Sequence, residues 1–233
     1  VRRLVVDGDL DHVLELRLPL QHFALALDRQ QDRLRVVVAP DLEHGGLARG
    51  LVAHDSNLRD LDVLLDANSA ELVDEVNVRG YRFSNAWARD QRIFFDMVFS
   101  RPYKDVVVED DLLTGKSVRA AFIFDPSESN EVEIRVGISA VDQSGALQNR
   151  KHELDDKSFE DVLQIAENTW EQQLNKIVVE TYDEEDKYNF YTSLYHTMLA
   201  PNLYQDVDGR YRGMDMNIHQ DKETDYYTVF SLW

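Results

Sequence analysis

Residues 131–141 read EVEIRVGISAV, and residues 158–176 read SFEDVLQIAENTWEQQLNK. In the first stretch apolar residues alternate with polar ones, which is the period of a β-strand with one buried face. In the second stretch they recur every three or four residues, which is typical of an amphipathic helix. This change of period divides the chain into strands followed by helices, with the boundary between residues 142 and 157.

Three further strands are predicted upstream, over residues 76–83, 92–100 and 117–124. The run DPSESN at residues 125–130 is a turn cluster. Strands of this length, joined by short turns, favour an antiparallel β-sandwich over a parallel sheet with crossover helices. Gly80 lies inside one predicted strand, where it would tolerate a β-bulge.

Two helices are predicted after the boundary. Ser158 followed by Asp161 is typical of a capping box, in which a hydroxyl and a nearby acid satisfy free backbone N–H groups. A second helix is predicted from about Glu184 to Ala200, closed by Pro201. The acids at its start are interpreted as a solvated cap, because the helix dipole favours negative charge there.

Residues 1–68 use a different set of amino acids from the rest of the chain. They contain 16 Leu and 8 Arg but no Lys, Ile, Tyr, Trp, Met or Thr. Alternation at residues 13–18 is typical of a β region rich in Leu, Val and Arg. The sustained loss of six residue types is instead typical of a segment read in the wrong frame or spliced from elsewhere. We favour this second interpretation and predict that residues 1–68 do not form the first strands of the sandwich.

The overall charge excludes some classes of partner. The formal net charge is −19 and the pI is about 4.6. Such a chain repels phosphate backbones and anionic lipids, so we expect no nucleic-acid partner. No stretch approaches the roughly 20 apolar residues of a membrane span. The absence of an initiator Met, together with an apolar run ending at Trp233, leads us to expect that both ends are cut.

The motifs that could carry chemistry are weak when taken alone. Asp206-Val207-Asp208-Gly209 resembles the start of a calcium loop, but the later ligands are missing, so it is interpreted as a hairpin turn. Tyr226, Tyr227, Phe230 and Trp233 crowd the end of the chain. They are interpreted as core residues or as aromatics that stack on a sugar ring. The four histidines of residues 1–68 match no metal-ligand spacing.

Several longer runs resemble glycoside hydrolase family 92. FYTSLYHTMLAPN at residues 190–202 and DVDGRYRGMD at residues 206–215 are similar to the start of that family's catalytic domain. YYTVFSLW at residues 226–233 resembles the beginning of its Ser-Leu-Trp-Asp-Thr-Phe-Arg motif. GYR at 80–82, WARDQ at 87–91 and VGIS at 136–139 resemble the last strands of its amino-terminal sandwich.

The resemblance implies a fold that mixes β and then α structure. An antiparallel β-sandwich, incomplete here, would be followed by linking helices and the first helices of an (α/α)6 barrel. Residues 69–141 would then be the last part of the sandwich domain. Residues 142–233 would be a linker helix and the start of the catalytic domain, truncated.

The resemblance also implies an activity and a cofactor. Family members are calcium-dependent exo-α-mannosidases that remove terminal mannose, often α-1,2-linked, from N-glycans and mannans with inversion. Mannose-containing glycans are thus the expected partners, and a periplasmic, surface or secreted location is expected. The alternative from the residues alone is a non-catalytic module that binds carbohydrate or protein.

Two departures from the family limit what this chain can carry. The family's Pro-Phe-Gly-Met and Ser-His-x-His-Leu-Ser-Gly stretches are missing from residues 1–68. Its catalytic acid, base and calcium ligands are expected beyond residue 233. We therefore predict no catalytic residue and no metal ligand in this chain, and Trp233 is the single predicted substrate-binding residue.

Overall fold

The structure is a computed structural model that describes residues 13–16, 35–40, 47–55, 61–84, 90–108, 114–125, 127, 132–198 and 201–228. These residues form thirteen strands and three helices. The strands are β1 (Val13–Leu16), β2 (Arg35–Pro40), β3 (Leu47–Asp55), β4 (Leu61–Leu72), β5 (Asn77–Ser84), β6 (Gln91–Phe99), β7 (Asp105–Val108), β8 (Thr114–Phe124), β9 (Val132–Ser139), β10 (Asn202–Leu203), β11 (Arg210–Arg212), β12 (Ile218–Gln220) and β13 (Tyr227–Thr228). The helices are α1 (Gln143–Glu153), α2 (Phe159–Leu174) and α3 (Glu184–Thr197).

Nine strands pair into one sheet in the order β2-β3-β9-β6-β5-β4-β8-β7, with β1 beside β4. The β1–β4 pair is parallel, and the other pairs among the described strands are antiparallel. Two parts of strand β4 pair with different strands: residues 62–65 pair with β1, and residues 69–72 pair with β5. The prediction of strands followed by helices is confirmed, and the four predicted strands are β5, β6, β8 and β9.

The sheet curls so that its strands enclose an apolar core. Phe99 on β6 packs against Phe122 and Phe124 on β8, with ring centroids 5.2 and 5.1 Å apart, although β5 and β4 lie between these strands in the sheet. Burying one such phenyl ring contributes about 1.5–3 kcal/mol. The buried cluster is Ala67, Ala70, Val78, Phe95, Met97, Phe99, Val118, Ala120, Phe122, Phe124, Val132, Ile134 and Val136.

Strand β5 has no irregularity at Gly80, although glycine would tolerate a bulge there. Gly80 pairs in continuous register with Ala70 on one side and Phe95 on the other. Its glycine identity has a different cause, because a Cβ there would lie 1.9 Å from the Ser69 carbonyl oxygen and 2.6 Å from the Phe95 ring. The missing side chain therefore lets β4, β5 and Phe95 approach closely.

Residues 1–68 supply β1, β2, β3 and the first part of β4. Strand β3 pairs with β9 over residues 50–55, and β4 pairs with β8 from residue 61 onward. These pairings place described parts of the segment in the same sheet as the later strands. The division of the chain at residues 68 and 141 stays a prediction.

Helix α1 is not predicted from the sequence pattern. Asp142 caps its first turn by accepting a hydrogen bond from the Gly145 N–H at 2.7 Å. The helix packs closely against β9. A Cβ on Gly137 of β9 would lie 2.3 Å from the carbonyl oxygen of Ala146 in α1, so the approach requires glycine at this position. Its buried side includes the polar Asn149, so apolar residues do not recur at helical spacing.

A buried ion pair also joins α1 to the sheet. Arg150 Nε donates to the Asp96 carboxylate of β6 at 2.6 Å, and Nη1 donates to Asp155 at 2.5 Å. Arg150 and Asp96 are both buried. Removing one partner of such a pair costs about 3–5 kcal/mol, because the other charge is left uncompensated. The pair therefore specifies where α1 sits on β6.

The two predicted helices are α2 and α3. The capping box is confirmed, because Ser158 Oγ accepts from the Asp161 N–H at 3.1 Å and the Asp161 carboxylate accepts from the Ser158 N–H at 2.9 Å. Asp183 caps α3 by accepting from the Glu185 N–H at 2.9 Å. Helix α3 ends at Thr197, before the predicted Ala200, which lies outside the described residues.

Helix α3 is less enclosed than the sheet. None of its residues is buried, and it contacts α2 through the rings of Trp170 and Tyr195, whose centroids are 4.7 Å apart. Phe159 and Val162 of α2 form a separate small core with Leu154, at the end of α1. Within the described ranges no helix is both long and apolar enough to cross a membrane.

Candidate functional site

Residues 202–228 form two small antiparallel sheets, β10–β13 and β11–β12. The turn at residues 206–209 connects them, and Gly209 adopts a φ of 87° there, which favours glycine. The Gly209 N–H donates to the Asp206 carbonyl, and the Asp206 N–H donates to the Arg210 carbonyl, both at 2.8 Å. The predicted turn is confirmed, but the hairpin is wrong, because the strands beside the turn pair with β13 and β12 rather than with each other.

The Asp206 carboxylate lies in a buried polar cluster. It is 4% exposed and accepts hydrogen bonds from Ser139 Oγ at 2.7 Å and from Asn149 Nδ2 at 2.8 Å. Asn149 Oδ1 accepts from the Val207 N–H at 2.9 Å. Burial raises the pKa of Asp206 to about 6, although the hydrogen bonds from Ser139 and Asn149 oppose the rise. The contact of residues 205–210 with β9 and α1 is called the junction below.

Gly145 is required for the closeness of this contact. A Cβ at this position would lie 2.1 Å from the Asp206 Oδ2 and 2.6 Å from the Ser139 Oγ. Any side chain would therefore overlap the hydrogen bond between those two atoms. This glycine in the first turn of α1 allows the carboxylate to reach the end of β9.

Two arginines strengthen the junction from its outer side. Arg210 Nη1 donates to Asp142 at 2.5 Å, and Arg210 Nε donates to Asp208 at 2.7 Å. Burial acts to raise the pKa of Asp142, but the hydrogen bonds from Arg210 and from the Gly145 N–H outweigh it and hold that pKa low. Arg212 donates from Nε to the Ala140 carbonyl at 2.8 Å. These contacts connect β11 to the chain between β9 and α1.

Gln205 is the residue that connects the junction to the last strand. It is 5% exposed, and its Oε1 accepts from the Tyr226 N–H at 2.8 Å. Its Nε2 donates to the carbonyl oxygens of Gly209, at 3.0 Å, and of Asp221. One side-chain amide therefore binds three backbone groups, in the turn, after β12 and before β13.

Three rings of the small sheets stack on one another. Tyr211 lies 4.0 Å from Tyr226 with the ring planes at 13°, and 5.6 Å from His219 on the ring centroids. Tyr226 thus packs on Tyr211 but is only half-buried, so its interpretation as core or sugar-stacking residue stays a prediction. Tyr227 is half-buried in β13. Phe230 and Trp233 lie outside the described residues, so their interpretation stays a prediction.

His219 and Asp215 form an exposed pair at the β11–β12 hairpin. His219 Nε2 lies 2.9 Å from the Asp215 Oδ1, and Asn217 Nδ2 donates to Oδ2 at 2.8 Å. The hydrogen bonds from His219 and Asn217 lower the pKa of Asp215 to about 2. A carboxylate held ionised in this way is unsuited to donate a proton to a leaving group.

Acid catalysis needs a carboxylic acid that can reach a substrate, and calcium needs a cluster of free oxygen ligands. Asp206 is the carboxylate in the described ranges whose pKa is clearly raised, but it is enclosed by Ser139 and Asn149 and does not face a cleft. The described part of the chain holds no group of three His, Asp or Glu side chains that could bind a metal ion. The oxygens of Asp206 and Asp208 face protein donors. These residues do not fit a calcium site.

Comparison with protein-family models places this junction in a known context. The model of the glycosyl hydrolase family 92 N-terminal domain matches residues 50–139, and the model of the family's catalytic domain matches residues 145–233. The chain belongs to glycosyl hydrolase family 92. The first match begins before residue 68, so residues 50–68 of the compositionally unusual segment lie inside it.

Solved structures agree in fold. A family GH92 α-mannosidase from Bacteroides thetaiotaomicron is 28% identical with a TM-score of 0.70, and the alignment covers 79% of this chain and 28% of that chain. The same values hold for that enzyme in complex with mannoimidazole. A family GH92 inverting mannosidase of the same organism shares the fold at 24% identity and a TM-score of 0.68, over 77% of this chain and 27% of its own. A comparison with curated proteins found no match.

The family matches meet at the junction. Ser139 is the last residue of the N-terminal match, whereas Gly145, Asn149 and Asp206 belong to the catalytic-domain match. The hydrogen bond between Ser139 and Asp206 therefore crosses from one domain of family 92 to the other. In the sequence, Ser139 stands only within the family-like run VGIS, and Asp206 only within a turn and the family-like run DVDGRYRGMD. No pattern indicates Asn149 or the contact between these residues.

Proposed function

We propose that this chain serves in an α-mannosidase that removes terminal α-linked mannose, with α-1,2-linked N-glycans or mannans as substrates and with inversion. The observation that carries the proposal is the 28% identity to a solved α-mannosidase along a shared fold that spans both family domains. The chain spans 28% of the length of that relative. The activity therefore belongs to a protein that contains this chain together with the rest of the family fold.

The proposed chemistry needs residues other than those described here. Inverting hydrolysis uses an acid and a base about 6.5–9.5 Å apart, with water between the base and the sugar. Asp206 is enclosed at the junction and Asp215 is held ionised, so neither suits the role of the acid. When bound, calcium would supply an electrophile that helps to hold and distort the sugar ring.

The role proposed for this chain is to position one wall of the sugar site. Strand β13 is held by β10 and by Gln205, and the chain continues from it to Trp233. The indole of Trp233 would border the subsite for the terminal mannose, where an aromatic ring can stack on the apolar face of a sugar. A periplasmic, surface or secreted location is proposed because the substrates are extracellular glycans.

The alternative function, a non-catalytic module that binds carbohydrate or protein, is not favoured. Residues 145–233 match the catalytic domain of family 92, and a free-standing module would not need this half.

The test is mannose release from α-1,2-mannobiose by a full-length family enzyme that contains this chain. We expect turnover that a chelator abolishes and that added calcium restores, with no action on the corresponding glucose disaccharide. Residues 1–233 alone should show no turnover. Absence of turnover by the full-length protein, or calcium-dependent turnover by residues 1–233 alone, would contradict the proposal.

The role of Trp233 is tested separately by Trp233→Ala, with Trp170→Ala as the matched control. The first variant should lower kcat/KM by about tenfold or more, because it removes a substrate contact. The second lies between α2 and α3 and should mainly lower stability. Equal kinetics for the folded fractions of both variants would make Trp233 a packing residue.

A further inference from the structure

The strongest unexplained feature outside the proposed chemistry is the side chain of Gln205. It is a long polar residue, yet it is buried, and its amide bonds to three backbone groups. A side chain that only filled space at this position could be apolar. Its hydrogen-bonding pattern therefore needs its own explanation.

The orientation of the amide is fixed by its partners. The Tyr226 N–H requires an acceptor, whereas the carbonyls of Gly209 and Asp221 require donors. Only an amide supplies one acceptor and two donors on the same planar group. The position thus requires glutamine by chemistry as well as by size.

The neighbouring residue, Asp206, attaches Gln205 and its hydrogen bonds to the N-terminal domain. Asp206 is bound by Ser139 of β9 and by Asn149 of α1, so the turn has a fixed position on the sheet. The Tyr204 N–H donates to the Tyr226 carbonyl at 2.8 Å. Residues 204–206 therefore bind the sheet on one side and both polar backbone atoms of Tyr226 on the other.

We propose that Gln205 is a positioning residue for the sugar site, because its buried amide fixes Tyr226 and the start of β13 relative to the turn that Asp206 anchors on the N-terminal domain. The inference rests on the proposed function for its kinetic consequences. Its structural content, the coupling of Gln205 to Tyr226, does not depend on it.

The test variant is Gln205→Glu, which has the same size but presents acceptors only. The ionised carboxylate would still accept from the Tyr226 N–H, but it would repel the carbonyls of Gly209 and Asp221. The matched control is Gln220→Glu. Gln220 also donates its amide to a carbonyl of this turn, that of Asp208 at 2.9 Å, but it is exposed and has no bond to Tyr226.

In a full-length enzyme that contains this chain, Gln205→Glu should raise KM more than it lowers kcat, with kcat/KM reduced about tenfold or more. Amide hydrogen exchange at residues 226–228 should accelerate by about tenfold. Gln220→Glu should change both readouts by less than about twofold. If Gln205→Glu fails to fold, Gln205→Asn should give the same faster exchange. Its amide is one methylene shorter and cannot reach the Tyr226 N–H and the two carbonyls together.

Acid pH supplies a readout that simple destabilisation elsewhere would not give. Burial favours the protonated form of a glutamic acid, and that form regains one donor for a carbonyl while still accepting from Tyr226. The ratio of variant to wild-type exchange at residues 226–228 should therefore fall as pH decreases from about 8 to about 5. For Gln220→Glu the ratio should stay flat.

The outcomes separate the two proposals. Faster exchange with acid rescue, in a protein without mannosidase activity, would support the coupling and overturn the proposed function. Normal exchange in Gln205→Glu, or a response equal to that of Gln220→Glu, would overturn the coupling whatever the activity.

Discussion

The interior of the nine-stranded sheet and the junction are both buried, yet different interactions hold them. Inside the sheet, Phe99, Phe122 and Phe124 pack ring against ring. At the junction, Asp206 and Asn149 are buried with paired donors and acceptors. Apolar burial is non-directional and depends on area, whereas a buried hydrogen-bond network requires each partner in place. The sheet therefore sets the stability of the domain, and the junction sets the position of the next one.

The largest effect is expected in the sheet. Phe122→Ala removes a fully buried ring, so it should lower the free energy of unfolding by about 3–5 kcal/mol. Phe83→Ala makes the same change on the same sheet at a side chain that is 39% exposed, and it should cost much less. Urea unfolding of the two variants measures the difference. Equal losses would mean that the curled sheet does not enclose the core described.

The sheet was also the part most accessible from sequence. Alternation in residues 131–141 and the switch to helical spacing after residue 158 gave β9, α2 and the order of the two layers. Helix α1 was missed because its buried side carries Asn149 and Arg150, so it lacks an apolar stripe. The junction was missed because Ser139 and Asp206 are 67 residues apart, and no local pattern brings such residues together.

A second prediction concerns the space at the junction. Gly145→Ala should lower the free energy of unfolding by about 1–3 kcal/mol, because the new methyl group overlaps the Asp206 carboxylate. Helix propensity alone would favour alanine by about 1 kcal/mol. Ser144→Ala, at the exposed neighbouring position, serves as the control. A stabilised Gly145→Ala variant, measured by urea unfolding, would show that the junction is less closely packed.

The smallest effect is a pH dependence of the junction. The pKa of Asp206 is raised to about 6, above its ordinary value of 3.8, so protonation favours the folded state. The stabilisation that comes from protonated Asp206 is complete below the ordinary pKa and is lost as pH rises through about 6. Relative to Asp206→Asn, the wild type should gain about 1.4 kcal/mol between pH 8 and pH 5.

Urea unfolding of both proteins across this pH range measures that gain. Asp74→Asn is the control, because backbone hydrogen bonding to Val76 lowers the pKa of the exposed Asp74 and its effect belongs at lower pH. If the difference in free energy of unfolding between wild type and Asp206→Asn does not change with pH, the titration of Asp206 does not contribute to stability in this range.

The most direct test of the proposed enzyme is the anomeric form of the first product. A full-length enzyme that contains this chain should be mixed with calcium and the methyl α-glycoside of α-1,2-mannobiose, whose leaving sugar keeps its anomeric configuration, and followed by proton NMR from the first turnovers. The account predicts that β-mannose appears first and then mutarotates, since inversion exchanges the configuration at the anomeric carbon. Initial release of α-mannose, or no release of mannose at all, would contradict it.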